Sequence, residues 1–139
     1  MSLIRLVYAS QSRLVEANRQ AELDRIIESA RRLNGRDGIT GFLLATTGAF
    51  AQVLEGERAT VAETYGRIVA DPRHEQVRLL AENPIDRRGF PQWSMGLAER
   101  DETTMFIFGL YGVTPDDDLP KHAADDLVEL AGELSRQRA

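Results

Sequence analysis

Two polar side chains interrupt strands that are otherwise apolar, and both could take part in hydrogen-bonding chemistry. Gln52 lies in the run 50–54 (FAQVL), where alternation places its amide on the same face as Phe50 and Leu54. Burying an amide without partners costs on the order of 2 kcal/mol or more. Its oxygen and its NH₂ group therefore need partners. Tyr8 lies in an equally apolar strand near the start of the chain. We predict that the two side chains share a planar, hydrogen-bonding ligand.

Each of these residues also has a simpler explanation. A buried glutamine can cap a neighbouring strand or hold an ordered water molecule. A buried tyrosine is often a core residue whose hydroxyl group finds a single partner. Neither residue identifies a ligand site by itself, and it is their combination that favours one.

The elements that must position the pair are predicted from the spacing of apolar residues. Alternation predicts strands and helical spacing predicts helices, in the order β-α-β-β-α-β-β. Gly35 is expected to end the first helix in the left-handed conformation. The strands are expected at 3–10, 39–46, 49–55, 77–81 and around 93–97, and the helices at 21–34 and 61–69.

This order of elements predicts an α+β fold of the ferredoxin-like type, with a five-stranded sheet and two helices on one face. In that topology the first and third strands lie side by side in the centre of the sheet. Alternation then places Tyr8 and Gln52 on the helix-covered face. We predict that the two residues meet beneath the gap between the helices.

The chain continues beyond this sheet with a helical extension. A short helix is expected near 103–110, and a final helix from about Pro120, because proline is tolerated in the first turn. We therefore divide the chain into a domain at 1–98 and an extension at 99–139. The final helix carries an apolar stripe, which either the free face of the sheet or another copy of the protein must cover: Ala124, Leu127, Val128, Ala131 and Leu134.

Composition and charge exclude several classes of function. The 139 residues carry a net charge of −5, and residues 101–139, with nine acidic and three basic side chains, account for −6 of it. A neutral body with an acidic extension argues against direct nucleic-acid binding. The absence of cysteine excludes disulfides and thiolate chemistry. No signal peptide and no apolar run of the roughly 20 residues needed to span a membrane are evident, so the cytoplasm is the expected compartment.

The familiar motifs of enzymes are not found in this sequence. Gly35, Gly38 and Gly41 lie three residues apart and follow a predicted helix, so they do not form a dinucleotide-binding fingerprint. His74 and His122 are far apart and provide poor material for a metal site or a catalytic triad. No metal site is predicted, and a conventional hydrolase is not expected.

Several short motifs, taken together, resemble the blue-light-sensing flavin domains known as BLUF. Tyr8 lies near the end of the first strand, and Asn34 lies at the end of the predicted first helix. The resemblance covers roughly residues 3–97, and the extension is similar to that of BLUF proteins that carry no fused enzyme. Its further landmarks are 38–41 (GITG), 52–56 (QVLEG), 71–74 (DPRH) and 90–95 (FPQWSM).

The resemblance implies that FAD is bound non-covalently, with its isoalloxazine ring between the two helices; FMN is the alternative. Tyr8 matches the tyrosine required for photochemistry, and Gln52 matches the glutamine that links this tyrosine to flavin N5 and O4. Asn34 matches the asparagine at the polar edge of the ring. Arg73 and His74 match a pair near its pyrimidine side.

The resemblance also implies the walls of the site and a route for the signal. Ile26, Leu43 and Phe50 fall at the apolar wall positions. Trp93 and Met95 match the switchable pair on the last strand, from which the signal is expected to pass to the C-terminal helices. The expected output is an unidentified downstream protein or a homodimer or higher oligomer, without direct contact to nucleic acid or membrane.

Three functions follow as hypotheses. The leading one is a blue-light photoreceptor that performs no net chemistry on a substrate and is not an enzyme. The second is a light-insensitive binding or oligomerisation module that has lost the flavin. It is favoured by Leu33 and Ala30, which replace polar residues of some family members. The third is a small flavin-dependent enzyme, which is disfavoured because no general base beyond His74 is evident.

Overall fold

The architecture was determined from a computed structural model, which describes residues 2–91, 95–98, 102–113 and 119–137. Five strands and four helices are present in this part of the chain, with short 3₁₀ turns before the first and the last helix. The strands are β1 Leu3–Ser12, β2 Thr40–Ala45, β3 Ala49–Glu57, β4 His74–Pro84 and β5 Gly96–Ala98. The helices are α1 Arg19–Asp37, α2 Arg58–Val69, α3 Glu102–Leu110 and α4 Ala124–Gln137.

The strands form one mixed sheet in the order β4-β1-β3-β2-β5. β5 runs parallel to β2, whereas the other neighbours are antiparallel. The first and third strands are adjacent in the centre, and the predicted ferredoxin-like α+β fold is confirmed. In the register of the sheet, Gln52 has Tyr8 as its direct partner on β1 and Leu43 on β2.

The end of the first helix differs from the prediction. α1 continues through Gly35 to Asp37, and the left-handed residue is Gly38, with φ of 71°. The Gly38 and Ile39 N–H groups both donate to the Asn34 carbonyl, which closes the helix at this point. Asn34 consequently lies in the last turn of α1, three residues before its end.

The two faces of the sheet bury different sets of residues, as the alternation of a β-strand requires. The face covered by α1 and α2 includes Tyr8, Leu54 and Met95. The opposite face packs against α3 and α4 and includes Val7 and Val53. Strand alternation therefore gives the sheet two buried faces, one covered by α1 and α2 and the other covered by the C-terminal extension.

The apolar stripe of α4 is covered by the second face of the sheet. Of the predicted stripe, Leu127, Ala131 and Leu134 are buried in the core on that side, and Ala124 and Val128 are partly buried against it. Leu130, which was not predicted, is buried there as well. The sequence left open whether the sheet or a second copy of the protein covers this stripe. The structure shows that the sheet covers it. Among the described residues, no helix combines the length and apolar character needed to cross a membrane.

Candidate functional site

A cleft opens between α1 and α2 above the centre of the sheet. It encloses about 190 Å³, whereas one water molecule needs only about 10–15 Å³ of such space. The cleft therefore has room for a ligand much larger than water. It is lined by Tyr8, Ile26, Ser29, Ala30, Leu33, Asn34, Leu43, Phe50, Gln52, Thr64, Arg67, Ile68, Asp71, Arg73, His74 and Met95.

A chain of three hydrogen-bonded side chains forms the floor of the cleft. The Tyr8 hydroxyl donates to Gln52 Oε1 at 2.5 Å, and Gln52 Nε2 donates to the sulfur of Met95 at 3.1 Å. Tyr8, Gln52 and Met95 are 3%, 6% and 1% exposed. Strand pairing explains the arrangement, because Tyr8 and Gln52 are direct cross-strand partners on one face. The predicted meeting of the two residues is confirmed.

Burial keeps the Tyr8 phenol in its neutral form. Desolvation, followed by the electrostatic influence of Tyr65 and Asp71, raises the pKa of Tyr8 well above its ordinary value. The hydroxyl group consequently retains a proton to donate. The Gln52 oxygen accepts the hydrogen bond from this hydroxyl group, so the amide nitrogen faces Met95.

His74 lies at the start of β4 and is oriented by two partners. Its Nδ1 is 2.8 Å from Ser10 Oγ, and its Nε2 is 2.6 Å from the carbonyl oxygen of Ile68. A carbonyl oxygen can only accept, so Nε2 carries the proton and the Ser10 hydroxyl donates to Nδ1 in the neutral ring. His74 thereby ties α2 to the sheet at the side of the cleft.

Arg73 forms a two-pronged ion pair with Asp71 at the edge of the cleft. Its Nη2 and Nε donate to the two carboxylate oxygens at 2.6 and 3.0 Å. The Arg73 hydrogen bond lowers the pKa of Asp71, and the Asp71 carboxylate raises the pKa of Arg73. Both groups stay charged, and Arg67 lines the same edge. Glu22 lies 3.9 Å from Arg73 Nη1, so this edge carries two guanidinium groups beside two carboxylates.

The remaining predicted residues also lie along the cleft. Ile26, Leu43 and Phe50 contribute apolar surface, and Asn34 lines the cleft from the last turn of α1. Asn34 is 3% exposed, so its amide is removed from solvent. The structure thus brings together every predicted site residue that it describes. Trp93 lies outside the described residues.

Sequence reasoning missed the contribution of α2. Thr64, Arg67 and Ile68 of α2 line the cleft together with Ser29 of α1, and Asp71 lines it from just beyond the end of α2. Arg67 and Ile68 lie three and four residues after Thr64, so the three share one side of the helix. That spacing was available in the sequence, but only the apolar members of the helix were used to predict it.

Comparison with known protein families shows which family this chain belongs to. The family model described as "BLUF: Sensors of blue-light using FAD" matches residues 3–96. The chain belongs to the BLUF family. The resemblance predicted from its motifs is confirmed, and the family senses blue light with a flavin.

Relatives of known structure cover nearly the whole chain. BlrB, described as a BLUF protein in its dark state, is 34% identical with a TM-score of 0.80, covering 98% of this chain and 97% of BlrB. BlsA in its photo-activated state is 31% identical with a TM-score of 0.82, covering 96% and 94%. The similarity therefore includes the helical extension.

A curated relative is much longer than this chain. The photoactivated adenylate cyclase subunit beta of Euglena gracilis is 34% identical over 106 residues, which is 76% of this chain. The match spans only 12% of the cyclase subunit.

The side chains of the cleft fit an oxidised flavin. Its ring is planar and apolar on both faces, with acceptors and one N–H donor along one edge. Ile26, Leu43 and Phe50 supply apolar surface. The amides of Asn34 and Gln52 supply donors and acceptors for a polar edge.

Proposed function

We propose that this chain is a blue-light photoreceptor that holds a flavin in the cleft between α1 and α2. The observation that carries the proposal is the buried chain from the Tyr8 hydroxyl through the Gln52 amide to the Met95 sulfur, on the floor of that cleft. An amide donates at one corner and accepts at the other, so its rearrangement reverses the polarity of the whole chain.

The proposed contacts to the flavin follow from the chemistry of the lining residues. Asn34 and Gln52 would hold the polar edge of the ring, and Ile26, Leu43 and Phe50 its apolar faces. Arg73 and His74 would lie near the pyrimidine side. FAD is the proposed cofactor, because the family model is defined by it. FMN is the alternative, since the ring contacts are common to both.

A bound flavin supplies absorption of blue light and a strongly oxidising excited state. The protein's own residues would respond by the movement of one proton from Tyr8 and the rearrangement of one amide, that of Gln52. Oxidation of Tyr8 by the excited flavin would make its hydroxyl proton acidic, and the 2.5 Å hydrogen bond would give that proton a direct path to Gln52 Oε1. The electron would then return from the flavin to Tyr8, and the tyrosine would take back a proton from the amide. The Gln52 amide rotates or changes tautomer, and its N–H group leaves the Met95 sulfur.

The free energy of this rearrangement is of the size needed to shift an equilibrium between two conformations. A hydrogen bond contributes about 1 kcal/mol net, and more when it is buried. Such a change is large enough to shift the populations of two states of one segment, but it is too small to rebuild the fold. Met95 is the first residue outside the photoactive pair to experience the change.

β5 is positioned to pass the change from one side of the sheet to the other. Met95, just before this strand, belongs to the core on the cleft side, whereas Ala98 at its end belongs to the core that includes α4. We propose that the signal reaches the extension by this route and then a partner protein or the self-association of the chain. The family resemblance adds Trp93 as the second switchable residue on this route.

The test is a light-minus-dark absorption spectrum of the purified protein and two variants. The wild type should be yellow and show a reversible shift to longer wavelength under blue light. Tyr8→Phe and Gln52→Leu should bind flavin but lose the shift, because each breaks the hydrogen-bonded chain. Tyr111→Phe is the control, since this residue packs on the other side of the sheet. A normal shift in Gln52→Leu would disprove the proposed role of the amide.

A light-insensitive module is the second candidate. The observation that favours it is that Ala30 and Leu33 line the cleft with apolar side chains and give no polar contact there. Colourless protein that takes up neither added FAD nor FMN would support this candidate. The activity of the adenylate cyclase relative is not extended to this chain, because the match covers only 12% of that relative.

A further inference from the structure

Met95 is held by two hydrogen bonds, one to its sulfur and one to its backbone carbonyl. Only the hydrogen bond to the sulfur belongs to the series that runs from Tyr8 through Gln52. Its sulfur accepts a hydrogen bond from Gln52 Nε2, and its backbone carbonyl accepts one from Arg31 Nε at 3.0 Å. Arg31 is an exposed residue of α1, 64 positions away in sequence. Its guanidinium group therefore ties a helix of the cleft wall to the segment that leads into β5.

Helix geometry explains how an exposed residue can make this contact. Arg31 lies four residues after Ile27 and three before Asn34, so the three share one stripe of α1. Ile27 and Asn34 are buried, which directs the stripe toward the sheet. The long arginine side chain keeps its stem along the helix while its guanidinium group reaches the last segment of the sheet.

The choice of a backbone acceptor matters for the switch. A hydrogen bond to the carbonyl of Met95 fixes the main chain at this residue but leaves its side chain free to change rotamer. The sulfur can then approach or leave the Gln52 amide from a constant position. Because the sulfur accepts and cannot donate, its presence requires the NH₂ corner of Gln52 to face it. The oxygen is then directed toward Tyr8.

We propose that Arg31 is a positioning residue, which anchors the main chain of Met95 so that the methionine sulfur selects the orientation of the Gln52 amide. Without the anchor, the main chain of Met95 samples more positions, and the sulfur meets the amide less often. The return of the amide to its dark orientation should then slow down. This kinetic part rests on the proposed photoreceptor function.

The anchoring itself can be tested in the dark. The chain contains three methionines, Met1, Met95 and Met105, so labelling them with ¹³C-methyl groups gives a simple NMR spectrum. In the purified protein, Arg31→Ala should shift or broaden the Met95 methyl signal and leave Met105 unchanged, because Met105 packs on the other side of the sheet. The matched control is Arg32→Ala, which removes the neighbouring exposed arginine.

The effect on the switch is tested by the decay of the light-induced absorption shift. Arg31→Ala should lengthen its lifetime by roughly threefold to tenfold, the scale of losing part of one charge-assisted hydrogen bond. The amplitude of the shift should stay as in the wild type. Arg31→Lys should restore part of the rate, because an ammonium group can also donate to the carbonyl, and Arg32→Ala should decay as the wild type does.

The outcomes separate this inference from the proposed function. A wild-type Met95 signal in Arg31→Ala overturns the anchoring, and an unchanged lifetime overturns the kinetic part. If the wild type binds flavin but shows no light-induced shift, the photoreceptor proposal fails. The methyl spectra then still decide whether Arg31 positions Met95.

Discussion

Arg5 and Glu55 face each other across β1 and β3, with 2.7 Å between Arg5 Nη2 and Glu55 Oε2. Glu55 is fully buried, and its two oxygens also accept the backbone N–H groups of Gly89 at 3.0 Å and Phe90 at 2.9 Å. This carboxylate therefore joins the strand that carries Gln52 to the loop that leads toward β5.

Replacing this carboxylate should destabilise the protein. Glu55→Gln keeps the shape of the side chain but removes the charge and one acceptor oxygen, so we expect the free energy of unfolding to fall by about 2–3 kcal/mol. Urea unfolding followed by circular dichroism measures the change. Glu82→Gln, on an exposed side chain of β4, should stay within about 0.5 kcal/mol of the wild type. A loss equally small in Glu55→Gln would contradict the importance of the buried pair.

The tautomer of His74 provides a second prediction. The Ile68 carbonyl oxygen accepts from Nε2, so the neutral ring should carry its proton on Nε2 and leave Nδ1 to accept from Ser10. Long-range ¹H–¹⁵N NMR spectra distinguish the two nitrogens by their chemical shifts. Ser10→Ala should move the Nδ1 signal and leave Nε2 protonated. A proton on Nδ1 in the neutral wild-type ring would show that the two hydrogen bonds are arranged differently.

The meeting of Tyr8 and Gln52 could be predicted from the sequence because it depends on two simple rules. The period of two along a strand fixes the face on which each residue lies, and the order of elements fixes which strands are adjacent. Neither rule requires knowledge of side-chain contacts. The same alternation places Phe50 on the face of Gln52, whereas Ile26 and Leu43 were implied by the family resemblance.

The features that were missed depend on backbone hydrogen bonds and strand pairing that the spacing of apolar residues does not reveal. Gly35 and Gly38 are equally suitable for ending a helix, and only the hydrogen bonds that close on the Asn34 carbonyl select Gly38. β4 extends from His74 to Pro84, beyond the predicted 77–81. It is an edge strand with mostly exposed side chains, so apolar alternation does not mark its ends. Its register shifts against β1, and Gln76 has a positive φ of 51°, so simple alternation is interrupted.

The buried phenol of Tyr8 should make the protein sensitive to high pH. Burial raises the pKa of Tyr8 in the folded state, whereas in the unfolded chain it titrates near 10. Above pH 10 the unfolded chain therefore binds fewer protons than the folded one. The contribution of Tyr8 is fully present below pH 10, and it is lost at about 1.4 kcal/mol per pH unit as the pH rises further.

This sensitivity can be measured in two ways. The free energy of unfolding should fall less steeply between pH 10 and 11 in Tyr8→Phe than in the wild type. Absorbance at 295 nm should show that one of the three tyrosines of the wild type ionises only when the protein unfolds. If all three titrate reversibly in the folded protein, Tyr8 is more accessible to solvent than the structure indicates.

The packing of α4 on the sheet leads to the last prediction. Leu130 is buried on the face opposite the cleft, so Leu130→Ala should lower the free energy of unfolding by about 2–5 kcal/mol through lost contacts and the cavity left behind. Glu129→Ala is the matched control, because this neighbouring side chain is exposed. Flavin uptake by folded Leu130→Ala protein should be unchanged, since the sheet separates this residue from the cleft. A cost below about 0.5 kcal/mol would mean that α4 does not rest on the sheet in solution, and the proposed route from Met95 through β5 to the extension would then lack its final contact.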